Sequence, residues 1–309
     1  TLETVGDLSS LKEIPYEAFD GCTSLVSIGD LSNVESIANE AFSNCSALEH
    51  VDKLDKITSI GQNAFKGCTA LKSIGSLHNL ETIGQGAFSG CSALEHVDDL
   101  YSLTRLEYDV FSHCVSLISV DCSDKLTAIG SSAFFGCKAL VSIGDLSNVT
   151  SIESSVFRGC IALKSIGNMP KLESIGMQCF MGCTALETVG DLSSLKEIPS
   201  ETFDGCTSLV SIGDLSNVTI IGSYGFNQCK KLTSIPNLGS LERVDQFAFS
   251  GCESLALLGN LRKLTSFGNS PFVNSPFHNC PNLVLEVLPD SAAEQYAKNY
   301  SMRYTYITE

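Results

Sequence analysis

The side chains able to do chemistry in this chain recur at a fixed interval. His50-Val51-Asp52 and His96-Val97-Asp98 are the same motif two 23-residue steps apart. In a strand, alternation puts each His and its Asp on one face. Such pairs are the raw material of acid–base catalysis or metal ligation. The two His should lie roughly 10 Å apart, too far to share one ion, and the motif contains no nucleophile. An Asp row recurs beside them and includes Asp7, Asp30, Asp99, Asp145, Asp191 and Asp214. Stacked neighbours would bring Asp191 near Asp214, and Asp98 and Asp99 near Asp121. Calcium takes several such oxygens, but Lys53, Ser76 and Asn168 interrupt the row. The expectation is a solvated acidic edge, with calcium at Asp191 and Asp214 as the alternative and otherwise no cofactor. Of the 14 Cys, twelve fall at one position per interval, and no C-x-x-C occurs. Zinc ligands converge on a point, whereas these run down a line. They read as reduced, buried, small apolar side chains, with Cys122 and Cys179 off the column.

The interval organises the whole chain. Phe recurs at 19, 42, 65, 88, 111, 134, 157, 180, 203, 226 and 249, always 23 residues apart, and Phe277 arrives five residues late. Each Phe leads its Cys by three, as in Phe65-Cys68 and Phe88-Cys91, the structural column. A fixed short period means a solenoid, which overrides the one or two domains that 309 residues would suggest. Each repeat opens Leu-x-x-Ile or Leu-x-x-Val and then, in most, Gly, which predicts one short strand entering a turn. Strands from successive repeats should stack as a parallel ladder about 4.8 Å apart. A later Ile-Gly, as in Ile60-Gly61 and Ile83-Gly84, reads as a turn with positive φ at the Gly. The Gly before most column Cys reads the same way.

Residues 1–282 form the solenoid. Its last repeat, 255–282, carries a five-residue insertion around Asn269 to Ser275. Residues 283–309 lose the period and predict a β-α-β cap: strand Leu283 to Leu288, helix Ser291 to Tyr300 with Asp290 as N-cap, strand Met302 to Ile307. Four of the eight Tyr fall in this cap. The chain starts at a repeat boundary, so upstream sequence is expected to be missing. The first coil should then present an open strand edge, suited to self-association. The net charge of −16 argues against nucleic acid and anionic membranes. No apolar run approaches the length of a membrane span.

Residues Leu48 to Leu71, LEHVDKLDKITSIGQNAFKGCTAL, carry Leu-x-x-Val, Ile-Gly and Ala-Phe-x-x-Cys in full. This pattern resembles the BspA-like, or Treponema-type, leucine-rich repeat, and the resemblance covers residues 2 to about 282. It implies a leucine-rich-repeat solenoid, α/β or mainly β and a right-handed superhelix, with short parallel strands on a concave face. It also implies a secreted or cell-surface bacterial protein of an adhesin or host-binding kind, with no shared catalytic residues. One departure stands out. The family's aliphatic residue and Pro after the strand are replaced by Gly-Asp-Leu in most repeats, and only Val120-Asp121-Cys122 looks like the usual form. The strand should therefore stop early, leaving Leu31 and its equivalents to fill the core.

The expected binding strip on the strand face is His50, Asp52, Ser73, His96, Asp98, Ser119 and Asp121. Tyr101, Tyr108 and Phe135 sit at variable positions and read either as an exposed aromatic patch or as residues covered by local turns. The functional expectation is a non-catalytic extracellular interaction or adhesion module that binds a host or matrix protein, or a glycan. A spacer presenting another domain is the alternative, and a hydrolase at the His-Asp pairs or the Asp row is a further one.

Overall fold

The computed structural model describes residues 2–268 and 275–308. The chain divides into two compact units, Thr1–Val149 with Val156–Ala162, and Thr150–Ser155 with Leu163–Glu309. Both are built from 23-residue coils. The first strand of each coil falls where Leu-x-x-Ile predicts it. In the first unit the pairing is parallel and advances by one period, Thr4↔Ser27, His50↔Ser73 and Ser119↔Ser142. In the second unit Ser165 pairs with Thr188 and Ser234 with Leu257. Most of these strands are two residues long, because the Gly-Asp that follows leaves the ladder. Ahead of the cap, the ladder lengthens at His96–Leu100 and Ser119–Cys122, where an apolar residue returns to the inner face. Leu31, Leu77 and Leu146 are buried after the turn, as the early stop requires.

A second ladder was not foreseen. The Ile-Gly segment is a strand rather than a turn: Ser36–Ile37, Ser59–Ile60 and Thr82–Ile83 pair in register with one another. The Ile points inward and is buried, and the Ser or Thr points out. The Gly after it does not have positive φ. It is Gly because the coils approach closely: a Cβ on Gly61 would lie 2.5 Å from the Asn39 backbone nitrogen. The left-handed residues are elsewhere. The Gly before each Cys is one, with Gly67 at φ 71° and Gly90 at 76°, as expected. The residue two before each Phe is another, and it is seldom Gly: Asn63 (54°), Asp109 (58°), Tyr224 (59°) and Phe247 (56°) all adopt this conformation. It costs about 1–2 kcal/mol for a residue with a Cβ. In return, the backbone N–H turns toward the next coil, as Asn63 donates to Gln85 O at 2.8 Å.

The core is a spine of Phe rings. In the first unit they stack from Phe19 to Phe157 with centroids 5.1–5.6 Å apart. In the second they stack from Phe180 to Phe277 at 5.2–5.9 Å. None of the fourteen Cys is in a disulfide. The column thiols hydrogen-bond to the Phe carbonyl of the preceding coil, Cys45 to Phe19, Cys68 to Phe42 and Cys91 to Phe65, each at 3.1 Å. Burial, reinforced by the neighbouring thiol, pushes Cys45 up to about 12 and raises Cys91 as well. The thiols stay protonated and able to donate.

The cap is β-α-β. Val284–Val287 extends the first ladder and pairs with Arg303–Tyr306. The helix spans Ala292–Asn299, and its N-cap is Ser291, one residue later than expected. Ser291 Oγ accepts from Glu294 N, while the Asp290 N–H donates to Glu294 Oε2. Asp290 itself is left-handed, φ 58°, and so lies outside the helix. Tyr296 stacks on Phe267, which closes the core end. The insertion at 269–274 lies outside the described residues. Beyond it the register resumes, since Phe249 N donates to Pro276 O at 2.8 Å. No helix among the described residues is long and apolar enough to cross a membrane.

Three outcomes are expected. Phe88→Ala should lower stability by about 3–5 kcal/mol in urea unfolding. Gly61→Ala should cost about 1–3 kcal/mol through overpacking, whereas Gly75→Ala, whose Cβ would sit 3.4 Å from its neighbours, should stay within about 0.5 kcal/mol. Glu294 is held down at about 2, first by Lys298 and then by the Tyr306 hydroxyl. Its ordinary value is about 4.3. The folded state therefore favours the ionised form, and that contribution is present above about pH 4.3 and fades toward pH 2. In thermal unfolding, the gap between the native chain and Glu294→Gln should be open at pH 6 and closed near pH 2.

Candidate functional site

The predicted strip on the first ladder is exposed, but its pairs differ from expectation. His50 Nδ1 lies 2.8 Å from Ser73 Oγ, and His96 Nδ1 lies 3.0 Å from Ser119 Oγ. Each His thus bonds across to the next coil rather than along its own strand to Asp52 or Asp98. Those two and Asp121 are exposed. In-register stacking explains this: the cross-coil neighbour is one ladder spacing away, nearer than a residue two along the strand. Glu49 carries the file further, 4.0 Å from His50 Nε2, and it is itself paired with Lys72 at 2.7 Å. Hydroxyl, imidazole and carboxylate in sequence is the order of an activated nucleophile. Here it lies on an open strand face with His50 about half exposed, and neither groove described below opens over it.

The Asp row makes turns. Asp7, Asp30, Asp145, Asp191 and Asp214 each accept from the N–H of the Ser two residues on, at 2.8–2.9 Å. This is the short Asx bond that starts a turn, and it explains why Gly-Asp-Leu-Ser replaces the family's usual strand continuation. Asp30 is also paired with Lys53 at 3.1 Å. Among the described residues, no group of three or more His, Cys, Asp or Glu is placed to hold a metal ion.

The three aromatic residues do not form one patch, because they occupy different corners of their coils. Tyr101 follows the first strand of its coil. Its phenol is raised chiefly by the charge of Asp99. Phe135 sits at the Phe-Cys corner, edge-on to His113 at 5.1 Å with the Arg158 guanidinium over its ring at 5.7 Å. Tyr108 follows the second strand of its coil and belongs to a groove.

That groove, about 640 Å³, opens over the second ladder of the first unit. Glu13, Ser36, Ser59 and Thr82 present the outward positions of the strands, and Gly61 and Gly84 leave the floor low. One column of the repeat forms its wall: Tyr16, Asn39, Gln62, Gln85 and Tyr108. Tyr16 is 61% exposed and Tyr108 43%. Asn39 Oδ1 accepts from Gln62 N at 2.8 Å. The Gln62 and Gln85 amide groups have no partner among the described residues. In the second unit a hollow of about 370 Å³ lies over the same ladder, lined by Arg243, Asp245, Gln246 and Phe267 among others, with Arg243 paired to Asp245 at 3.1 Å. Reading Ile-Gly as a turn hid this face. The available signal was the column itself, large and polar at 16, 39, 62, 85 and 108 but mostly Ser from 131 onward.

The model of the BspA-type leucine-rich repeat region, which spans six copies, matches residues 2–118, 58–187, 104–213 and 173–285. Among solved structures, a leucine-rich repeat protein from Bacteroides ovatus is 26% identical. The match covers 99% of this chain and 92% of that one, with a TM-score of 0.66. A leucine-rich cell surface protein from Faecalibacterium prausnitzii shares the fold at 24% identity, with 85% of each chain covered and a TM-score of 0.51. No curated protein matches the chain significantly. The 23-residue coil, its Phe-Cys corner and a match running from residue 2 to residue 285 agree: the chain belongs to the BspA-type leucine-rich repeat family.

Proposed function

We propose that this chain is a non-catalytic interaction module of a bacterial cell-surface protein, binding an extracellular host or matrix protein, or a glycan. The observation that carries the reading is the in-register stacking of outward side chains. Position by position, the same corner of each coil recurs one ladder spacing on, so an extended ligand meets several coils at once. No single contact then needs to be strong, and affinity grows with the number of coils engaged. The surfaces that the stacking creates are open strand faces and shallow grooves, which suit contact with a macromolecule. The charge of −16 favours a neutral or basic ligand. The surface location rests on family membership and on the likeness to a cell surface protein.

The test is binding of the purified chain to immobilised collagen, mucin and neutral glycans, in calcium and in chelator. The expected result is saturable binding that survives chelation and weakens in steps as outward residues of successive coils are replaced. Binding lost in chelator would instead make Asp191 and Asp214 metal ligands. Silence across the panel would leave a spacer as the better description.

A further inference from the structure

The groove over the second ladder has features that the open strip over the first lacks: flat aromatic ends and, between them, the unpaired amides of Gln62 and Gln85. We propose that it is a carbohydrate site for a neutral, extended, β-linked hexose chain of about four or five units, one unit per coil spacing, held between Tyr16 and Tyr108. The proposal deepens the interaction reading and rests on it.

Neither tyrosine is required by the fold. Residues 2–34 and 186–218 are identical except at two positions, Tyr16/Ser200 and Ala18/Thr202. The same coil therefore forms with Ser in place of Tyr16. One coil after Tyr108, the same position is Ser131. Two large, exposed aromatic rings that the scaffold can do without, placed at opposite ends of one groove, are suited to stacking on the apolar faces of sugar rings. Tyrosine also supplies a hydroxyl at the wet end of the ring.

The step between coils matches the ligand. The Phe rings of these same coils advance 5.1–5.6 Å per coil from Phe19 to Phe111. A pyranose in an extended β-linked chain advances by nearly the same length. Asn39, Gln62 and Gln85 then fall at successive units. A side-chain amide carries both donors and an acceptor, which complements the paired hydroxyls of a hexose. An α-1,4-linked chain coils away from a column of constant step.

Charge selects the neutral class. Glu13 and Glu107 line the groove, and no Lys does. Glu107 is held by Arg105 at 3.2 Å. A uronate or sulfate would meet like charge. A peptide is disfavoured on other grounds. The middle strands beneath, Ser36–Ile37 and Ser59–Ile60, are paired on both sides, which leaves no edge for β-addition along the middle of the groove, and the floor of Ser, Thr and Gly offers no apolar pocket.

The test uses the full chain, which has no Trp and eight Tyr, so the change in tyrosine fluorescence on binding, read against the Tyr16 and Tyr108 variants, reports the groove alongside calorimetry. The probes are cellopentaose, maltopentaose and a hyaluronan hexasaccharide. Cellopentaose should bind and quench tyrosine emission. Tyr16→Ser and Tyr108→Ser each install a residue that another coil holds at that position, so folding should be kept. Each should weaken binding roughly tenfold, and the double variant should abolish it, while Tyr101→Ala should leave it unchanged. Maltopentaose should bind at least tenfold more weakly, and hyaluronan should not bind. The proposal is overturned if cellopentaose shows no binding at millimolar concentration, if the double variant retains full affinity, or if either contrast sugar binds as well. The native chain, run in parallel on the collagen and mucin panel, separates the two levels. Retained binding there with no cellopentaose response removes the carbohydrate groove but keeps the interaction module, and silence in both removes both.

Discussion

The structure depends on the backbone hydrogen bond from one coil to the next. A 23-residue coil cannot bury its own apolar side, so it is defined only against its neighbour. The bonding runs around the coil: along both strand ladders, at the left-handed corner where Asn63 donates to Gln85, at the Phe corner where Phe65 donates to Ala87, and at Gly67, which donates to Ser89. That contact fixes the period, since one residue more or less would break several corners at once. It also explains why Tyr224 accepts a conformation that side chains avoid: its N–H donates to Gln246 O in the next coil, and that inter-coil bond over-determines it.

The cysteine column follows from the same constraint. A Phe carbonyl at the corner has two lone pairs to satisfy in a dry interior. In Phe42, one accepts from Cys45 N and the other from Cys68 Sγ in the next coil. A buried thiol can donate there while filling space as a small apolar group. Its raised pKa keeps the proton in place, so the column suits a packed interior better than it suits redox or metal chemistry.

The most repetitive residues were the most legible. Phe, Cys and leading Leu report burial directly, and their columns place the solenoid, the spine and the first ladder. The cap was legible from the loss of period and the helical spacing of Ala293, Tyr296 and Ala297, within a residue at its N-cap. Residues with two physical meanings were less legible, and Gly61 was misread. Gly61 can signal positive φ or close approach, and only the neighbouring coil distinguishes them. Asp30 and its equivalents, expected as a solvated acidic edge, also open turns, and the Ser two residues on was the signal for that. His50 has a carboxylate in its own strand and a hydroxyl across the ladder, and stacking favours the hydroxyl. The groove depends on a ladder that the sequence reading missed, so its tyrosines were noticed singly or not at all.

The near-identity of residues 2–34 and 186–218 has an evolutionary meaning. Because a coil recognises only the coil beside it, a copied block can be inserted, deleted or moved by whole periods without redesigning the interior. Copy number becomes a heritable variable, separate from the fold. Exposed positions such as 16 and 200 can then diverge on a scaffold already known to work, so a lineage can lengthen the array first and diversify its surface afterwards.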